Sequence, residues 1–167
     1  MRFYFILVFS ILTSCIFAQE DNNPIEFFKS YKFPCDTETT TLEINICLGN
    51  KLEFADSLLN VTFRKIINDL DKDINEDKSK MNVLRSKKVL SAEEKKMSKY
   101  YAENIEQHQK IRQAIIKSQR EWIKLRDSNE EVTRIMCEGG TGCNGIVSQS
   151  SIDDTLERIR KLQEFSQ

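Results

Sequence analysis

The 167-residue chain is long enough for one domain with a modest core and too short for two. Hydrophobic content of 40% beside 31% charge, with only five Gly and two Pro, excludes a disordered chain and describes a helix-rich soluble protein. The formal net charge of -1 gives no average attraction to nucleic acid.

Residues 1–18 read as an export signal. Met1-Arg2 is a short basic start, and Phe3 to Leu12 is an apolar run broken only by Ser10. That run falls short of the ~20 residues needed to cross a bilayer but suits a signal-peptide core. Two processing sites compete. Leu12-Thr13-Ser14-Cys15 is similar to a bacterial lipobox, which would make Cys15 a lipidated first residue in the outer membrane. Ala18 before Gln19 suits ordinary signal peptidase, and the apolar Ile16-Phe17 after Cys15 favours that cut. The expectation is a periplasmic or secreted protein.

Residues 19–34 form a lead-in with two prolines and four aromatics, expected to be partly ordered against the body. Thr40 and Glu43 have capping-box spacing, in which the hydroxyl takes one orphan N–H and the carboxylate reaches back for another. Leu48, Leu52, Ala55, Leu59, Phe63, Ile66 and Leu70 then recur at three and four residues, which predicts a helix over about 41–72. Residues 71–90 are densely charged with a weaker apolar rhythm and read as a frayed helix end plus connection. Ser91 with Glu94 restarts regular structure. A second stripe runs through Met97, Tyr101, Ile105, His108, Ile111, Ile115, Ser118, Trp122 and Leu125, so this helix should end between Arg126 and Arg134. Ser151 with Asp154 signals a third helix carrying Ile152, Leu156, Ile159 and Leu162. There is no period-2 strand and no tandem repeat. The predicted fold is all-α: a long antiparallel helical hairpin plus a short C-terminal helix.

Charge is unevenly placed. Residues 20–77 carry 6 Lys+Arg against 13 Asp+Glu, residues 78–126 carry 14 against 5, and residues 127–167 carry 4 against 8. A basic helix between two acidic ones favours antiparallel packing. It also offers a face to an anionic glycan or membrane, although a solvated helix face accounts for the same residues.

Few residues could perform chemistry. His108 is the single histidine and lies on an apolar stripe, which leaves most nucleophile–base schemes without a base. The cysteine spacings are too wide for the usual zinc sites. Gly139-Gly140-Thr141-Gly142 follows a helix and lacks the lysine of a phosphate loop. Asp153-Asp154 read as first-turn helix acids. Neither enzymatic activity nor a cofactor or metal is expected. Trp122 is expected in the core between the long helices, with Arg126 and Asp127 bracing the turn that follows.

Taken in order, Cys35-x4-Thr40-x2-Glu43-x3-Cys47, Trp122-x3-Arg126-Asp127, Gly139-Gly140-Thr141 and Thr155-x2-Arg158-x3-Leu162 resemble the N-terminal domain of the lysozyme inhibitor LprI-like family. The resemblance covers residues 35–162 and assigns 35–167 to one helical domain. Family members usually carry cysteines at positions that here look like Glu130 and Ser150. Cys137 and Cys143 appear instead, which suggests a shortened staple in the same loop. Four cysteines allow three pairings. Cys35–Cys47 and Cys137–Cys143 are expected, since the 35–39 segment can fold back along the first helix and three glycines let the 137–143 loop close.

The resemblance implies lysozyme inhibition through protein–protein binding. The 137–143 loop, with Glu138, Thr141 and Asn144 most exposed, is the expected plug for an active-site cleft. The competing class is an envelope interaction module with another target, bound through the basic helix.

Overall fold

Two helices of 45 residues each set the dimensions of the protein. The computed structural model describes residues 23–138 and 140–165. The leader, with Cys15 and Ala18, lies outside the described residues, as does Gly139. Helices α1 (Pro24–Ser30), α2 (Thr41–Arg85), α3 (Ala92–Met136) and α4 (Cys143–Glu164) follow in order, with a 3-10 turn at Pro34–Asp36 before α2. No strand occurs among the described residues.

Both long helices begin where their sequence signals lie. Thr40 Oγ1 accepts from the Glu43 amide at 3.2 Å, and the Glu43 carboxylate accepts from the Thr40 amide at 3.1 Å. Ser91 and Glu94 repeat the box at 3.2 and 2.8 Å. The predicted end of α2 at about 72 is corrected to Arg85. Its charged last turns continue as helix because Ile74 and Asp77 bury against α3 and a Glu76–Lys80 pair spans one turn. Packing thus carries the helix where the apolar rhythm fades.

A constant register joins the pair. Arg112 reaches Asp71 through two hydrogen bonds of 2.8 and 3.1 Å, and Lys80 lies 5.7 Å over the Tyr101 ring. At the turn, Lys87 pairs with Glu94. Helix α4 lies in the groove along the other half of this hairpin. Ile159 and Leu162 are fully buried there with Leu59, Ile66 and Ile115, each such side chain being worth ~1.5–3 kcal/mol.

The start of α4 also differs from expectation. It begins at Cys143, eight residues before the Ser151 signal, and Ser151 is a buried interior residue. Gly142 caps this helix without any side-chain hydrogen bond, so no local start signal exists. Close approach to α2 holds it instead. A Cβ on Gly145 would lie 2.8 Å from Asn45 Oδ1 and 3.3 Å from Leu48 Cδ1, so any larger residue there would push these two side chains aside.

From Asn23 on, the lead-in is ordered against the body, as expected. Asn23 caps α1 by accepting from the Ile25 amide at 3.0 Å, and Ile25 and Phe28 bury in the same core as α2 and α4. Phe28, Tyr31 and Phe33 gather on Phe54 with ring centroids 4.9–5.9 Å apart. The Cys35–Cys47 bridge is formed, with Cα atoms 5.4 Å apart, and fastens the 3-10 turn to α2.

Candidate functional site

Most of the residues singled out by motif converge on the triple-helix half. Arg126 on α3 reaches across to α2, where Nη1 donates to Asp56 Oδ1 at 2.5 Å and Nη2 to Oδ2 at 3.4 Å. The same Nη1 donates to Thr155 Oγ1 on α4 at 2.9 Å. One guanidinium therefore ties three helices through its fork of donors. Its plane also sits on Trp122, with Cζ 5.0 Å from the ring centroid.

Arg158 contacts the same indole. Its Cζ lies 6.0 Å from the centroid, Nε donates to Gln119 Oε1 at 2.8 Å, and Nη2 donates to Ser118 Oγ at 3.0 Å. Burial pulls Arg158 below the usual guanidinium pKa without threatening its charge. Neutral amide and hydroxyl acceptors, rather than a carboxylate, satisfy it. Thr155, Arg158 and Leu162 thus form one inward stripe at helical spacing, all buried.

Two expectations about this cluster are corrected. Trp122 is half-buried rather than enclosed: it packs against the core cluster, and the two arginines lie over its ring. Arg126 and Asp127 do not brace a turn, since α3 continues ten residues beyond Arg126. Asp127 is exposed on the outer side of α3. The fully conformed partner of Arg126, Asp56, carries no sequence signal that could have singled it out.

Glu130 accepts from Ser151 Oγ at 2.7 Å. Glu130 and the residue beside Ser151 stand where the family's usual cysteines were expected, so a hydrogen bond joins α3 to α4 there.

The loop between α3 and α4 is short and pinned. Cys137 caps α3, Gly140 donates to the Cys137 carbonyl at 3.1 Å, and Cys143 donates to the Gly140 carbonyl at 2.9 Å. Asn45 Nδ2 donates to the Thr141 carbonyl at 3.1 Å, fastening the loop to the start of α2. Glu138, Thr141 and Asn144 are exposed, as expected. Glu138 has φ 53°, a left-handed conformation that usually belongs to glycine at a helix end. Cys137 and Cys143 are free thiols in the structure, not a bridge. They lie close together, and the hydrogen bond between the two thiols pushes the Cys137 thiol up. Cys143 Sγ also lies 3.9 Å from the Arg134 carbonyl.

Around this end the surface is acidic. Residues 34–60 hold five Asp and Glu against Lys51. An open cleft of about 420 Å³ lies beside the bridge, lined by Tyr31, Phe33, Phe54, Ile46 and Glu38 among others. Among the described residues no group of three His, Cys, Asp or Glu could hold a metal ion. No described helix is long and apolar enough to cross a membrane. His108 is half-buried on α3, as its position on the apolar stripe implied.

Residues 80–162 match the family model described as lysozyme inhibitor LprI. Over that stretch the chain is similar to the LprI family. The match takes in α3, the pinned loop and α4 through Leu162, together with the last turn and a half of α2. Within it lie Trp122, Arg126, Thr155 and Arg158, whereas Cys35, Thr40, Glu43 and Cys47 precede it. No curated protein and no solved structure matched the chain. Within the matched stretch, Trp122, Arg126, Thr155 and Arg158 are spent on holding helices together.

Proposed function

We propose that this chain is an exported, non-enzymatic binding protein that inhibits a lysozyme by occluding its cleft. The observation that carries the reading is the family match over residues 80–162, whose description is lysozyme inhibition. The 137–143 loop supports it physically. Glu138, Thr141 and Asn144 project from a loop already fastened by Asn45 and by its own backbone hydrogen bonds, so little ordering entropy remains to be lost on binding. An acidic side chain kept in a left-handed conformation at an exposed position is a strained choice, and such strain tends to persist where a function uses it.

Lysozymes cleave with two carboxyl groups in a cleft and are often cationic. The acidic surface formed by residues 34–60 would steer a cationic enzyme towards the loop. In an oxidising compartment Cys137 and Cys143 would close into a second staple, since the two thiols lie near one another.

The test is lytic activity of several lysozyme types against a stoichiometric excess of the protein. Suppression of at least one type is expected. Undiminished lysis by every type would sink the proposal and leave a non-inhibitory envelope interaction module as the better reading.

A further inference from the structure

Helix α4 covers only half of the α2–α3 hairpin. Leu162, near its end, packs level with Ile66 and Ile115, while α2 continues to Arg85. Residues 71–85 therefore project ~22 Å as a two-helix arm, at about 1.5 Å per residue. Only a narrow seam, with Ile74, Asp77 and Ile105, is buried along it.

The basic excess of the middle segment is concentrated at the end of this arm. Residues 78–99 hold eight Lys and Arg against two Glu, and the antiparallel register brings both strands of that segment together at the tip. Among the described residues Lys78, Arg85, Lys88, Lys95 and Lys96 make no ion pair. The tip itself is apolar. Val89, in the turn at the far end, is 84% exposed, and Val83 and Tyr100 on the flanking helices are 60% and 55% exposed. Unpaired cations around protruding apolar side chains and a tyrosine are the composition of a surface that meets lipid headgroups. An anionic glycan would be served by the cations and would gain nothing from Val89.

We infer that the tip of the α2–α3 hairpin docks on an anionic lipid bilayer, with Val89 entering the headgroup layer and the lysines around it on lipid phosphates. The acidic end of the protein then points away from the membrane, about the length of α2 distant. This inference does not depend on lysozyme inhibition, which the opposite end would perform.

The experiment is co-sedimentation of the chain from Gln19 with vesicles. One set contains roughly 30% phosphatidylglycerol in phosphatidylcholine, the other phosphatidylcholine alone, at low salt and at about 0.5 M salt. Binding is expected to the anionic vesicles only, and to fall at least tenfold at high salt. Lys88→Ser, Lys95→Ser and Lys96→Ser combined should weaken it about 100-fold, each charge being worth about fivefold. Val89→Ser should weaken it about fivefold while leaving helicity and unfolding midpoint unchanged. Dextran sulfate serves as a soluble polyanion. Binding to dextran sulfate with no binding to vesicles would overturn the lipid assignment in favour of a glycan. Equal binding to both vesicle types, or no loss with Val89→Ser, would overturn it as well.

Discussion

Asp56 and Arg126, 70 residues apart in sequence, meet through two hydrogen bonds, and the arginine's third contact is Thr155 on α4. This pair locks the hairpin at the level where the third helix enters. It is mostly sheltered, with the arginine side chain 15% exposed. Removing the arginine leaves the Asp56 carboxylate with only the long 3.5 Å hydrogen bond donated by the fully buried Thr155 hydroxyl.

Arg126→Ala should therefore destabilise by about 2–3 kcal/mol, below the cost of breaking a fully buried pair because Asp56 keeps some water. Arg126→Lys should lose roughly 1 kcal/mol, since an ammonium cannot reproduce the fork. Urea unfolding of both variants and of Asp56→Ala, treated as a double-mutant cycle, reads the coupling directly. A coupling indistinguishable from zero would show that the contact holds nothing.

Trp122 lies between two guanidinium groups on one side and the core on the other. Replacement by alanine should cost about 2–4 kcal/mol, somewhat less than for an enclosed tryptophan. Its emission maximum should fall between those of a buried and a free indole, and should shift to the red in Arg126→Ala. A maximum equal to that of free tryptophan in the native protein would contradict the placement.

Glu138→Gly should leave stability unchanged or raise it by up to ~1 kcal/mol, because glycine adopts φ 53° without a Cβ clash. If the loop plugs a lysozyme cleft, the same substitution should weaken inhibition. Thermal unfolding and lytic assays on one preparation separate the two effects. Loss of stability together with unchanged inhibition would remove the grounds for reading Glu138 as a contact residue.

The helix caps give a pH signature. The Thr40 hydroxyl, then the Thr40 amide, holds Glu43 below the ordinary carboxylate value. Lys87, then the Ser91 amide, does the same for Glu94. Both pKa values are depressed by folding, so their stabilisation is complete above the ordinary value and is lost as pH falls through the folded ones. Carboxyl NMR titrations should place both midpoints below 4.5, the ordinary value for glutamate. Midpoints at that value would mean the boxes are open in solution.

The Cys35–Cys47 bridge should contribute ~2–3 kcal/mol by constraining the unfolded chain. Non-reducing peptide mapping of protein exported to an oxidising compartment should find this link and a second one between Cys137 and Cys143. A crosslink joining either early cysteine to either late one would refute both pairings.

The sequence by itself determined the helix starts at Thr40 and Ser91, the long stripe of α2 and the first bridge, whereas Met97, Ile111 and Leu125 of the second predicted stripe are exposed. Each depends on residues within a few turns of one another, where spacing alone dictates contact. The tertiary structure alone decided three things. Helix α2 runs on to Arg85 because α3 lies against it. Helix α4 starts at Cys143 because Gly145 permits close approach to Asn45, although Gly142 provides no side-chain cap. Arg126 finds Asp56 because the 86–91 turn fixes the register of two 45-residue helices. No periodicity within one helix carries that information, since a one-turn slip would leave both apolar stripes intact while moving every cross-helix polar partner by about 5.4 Å.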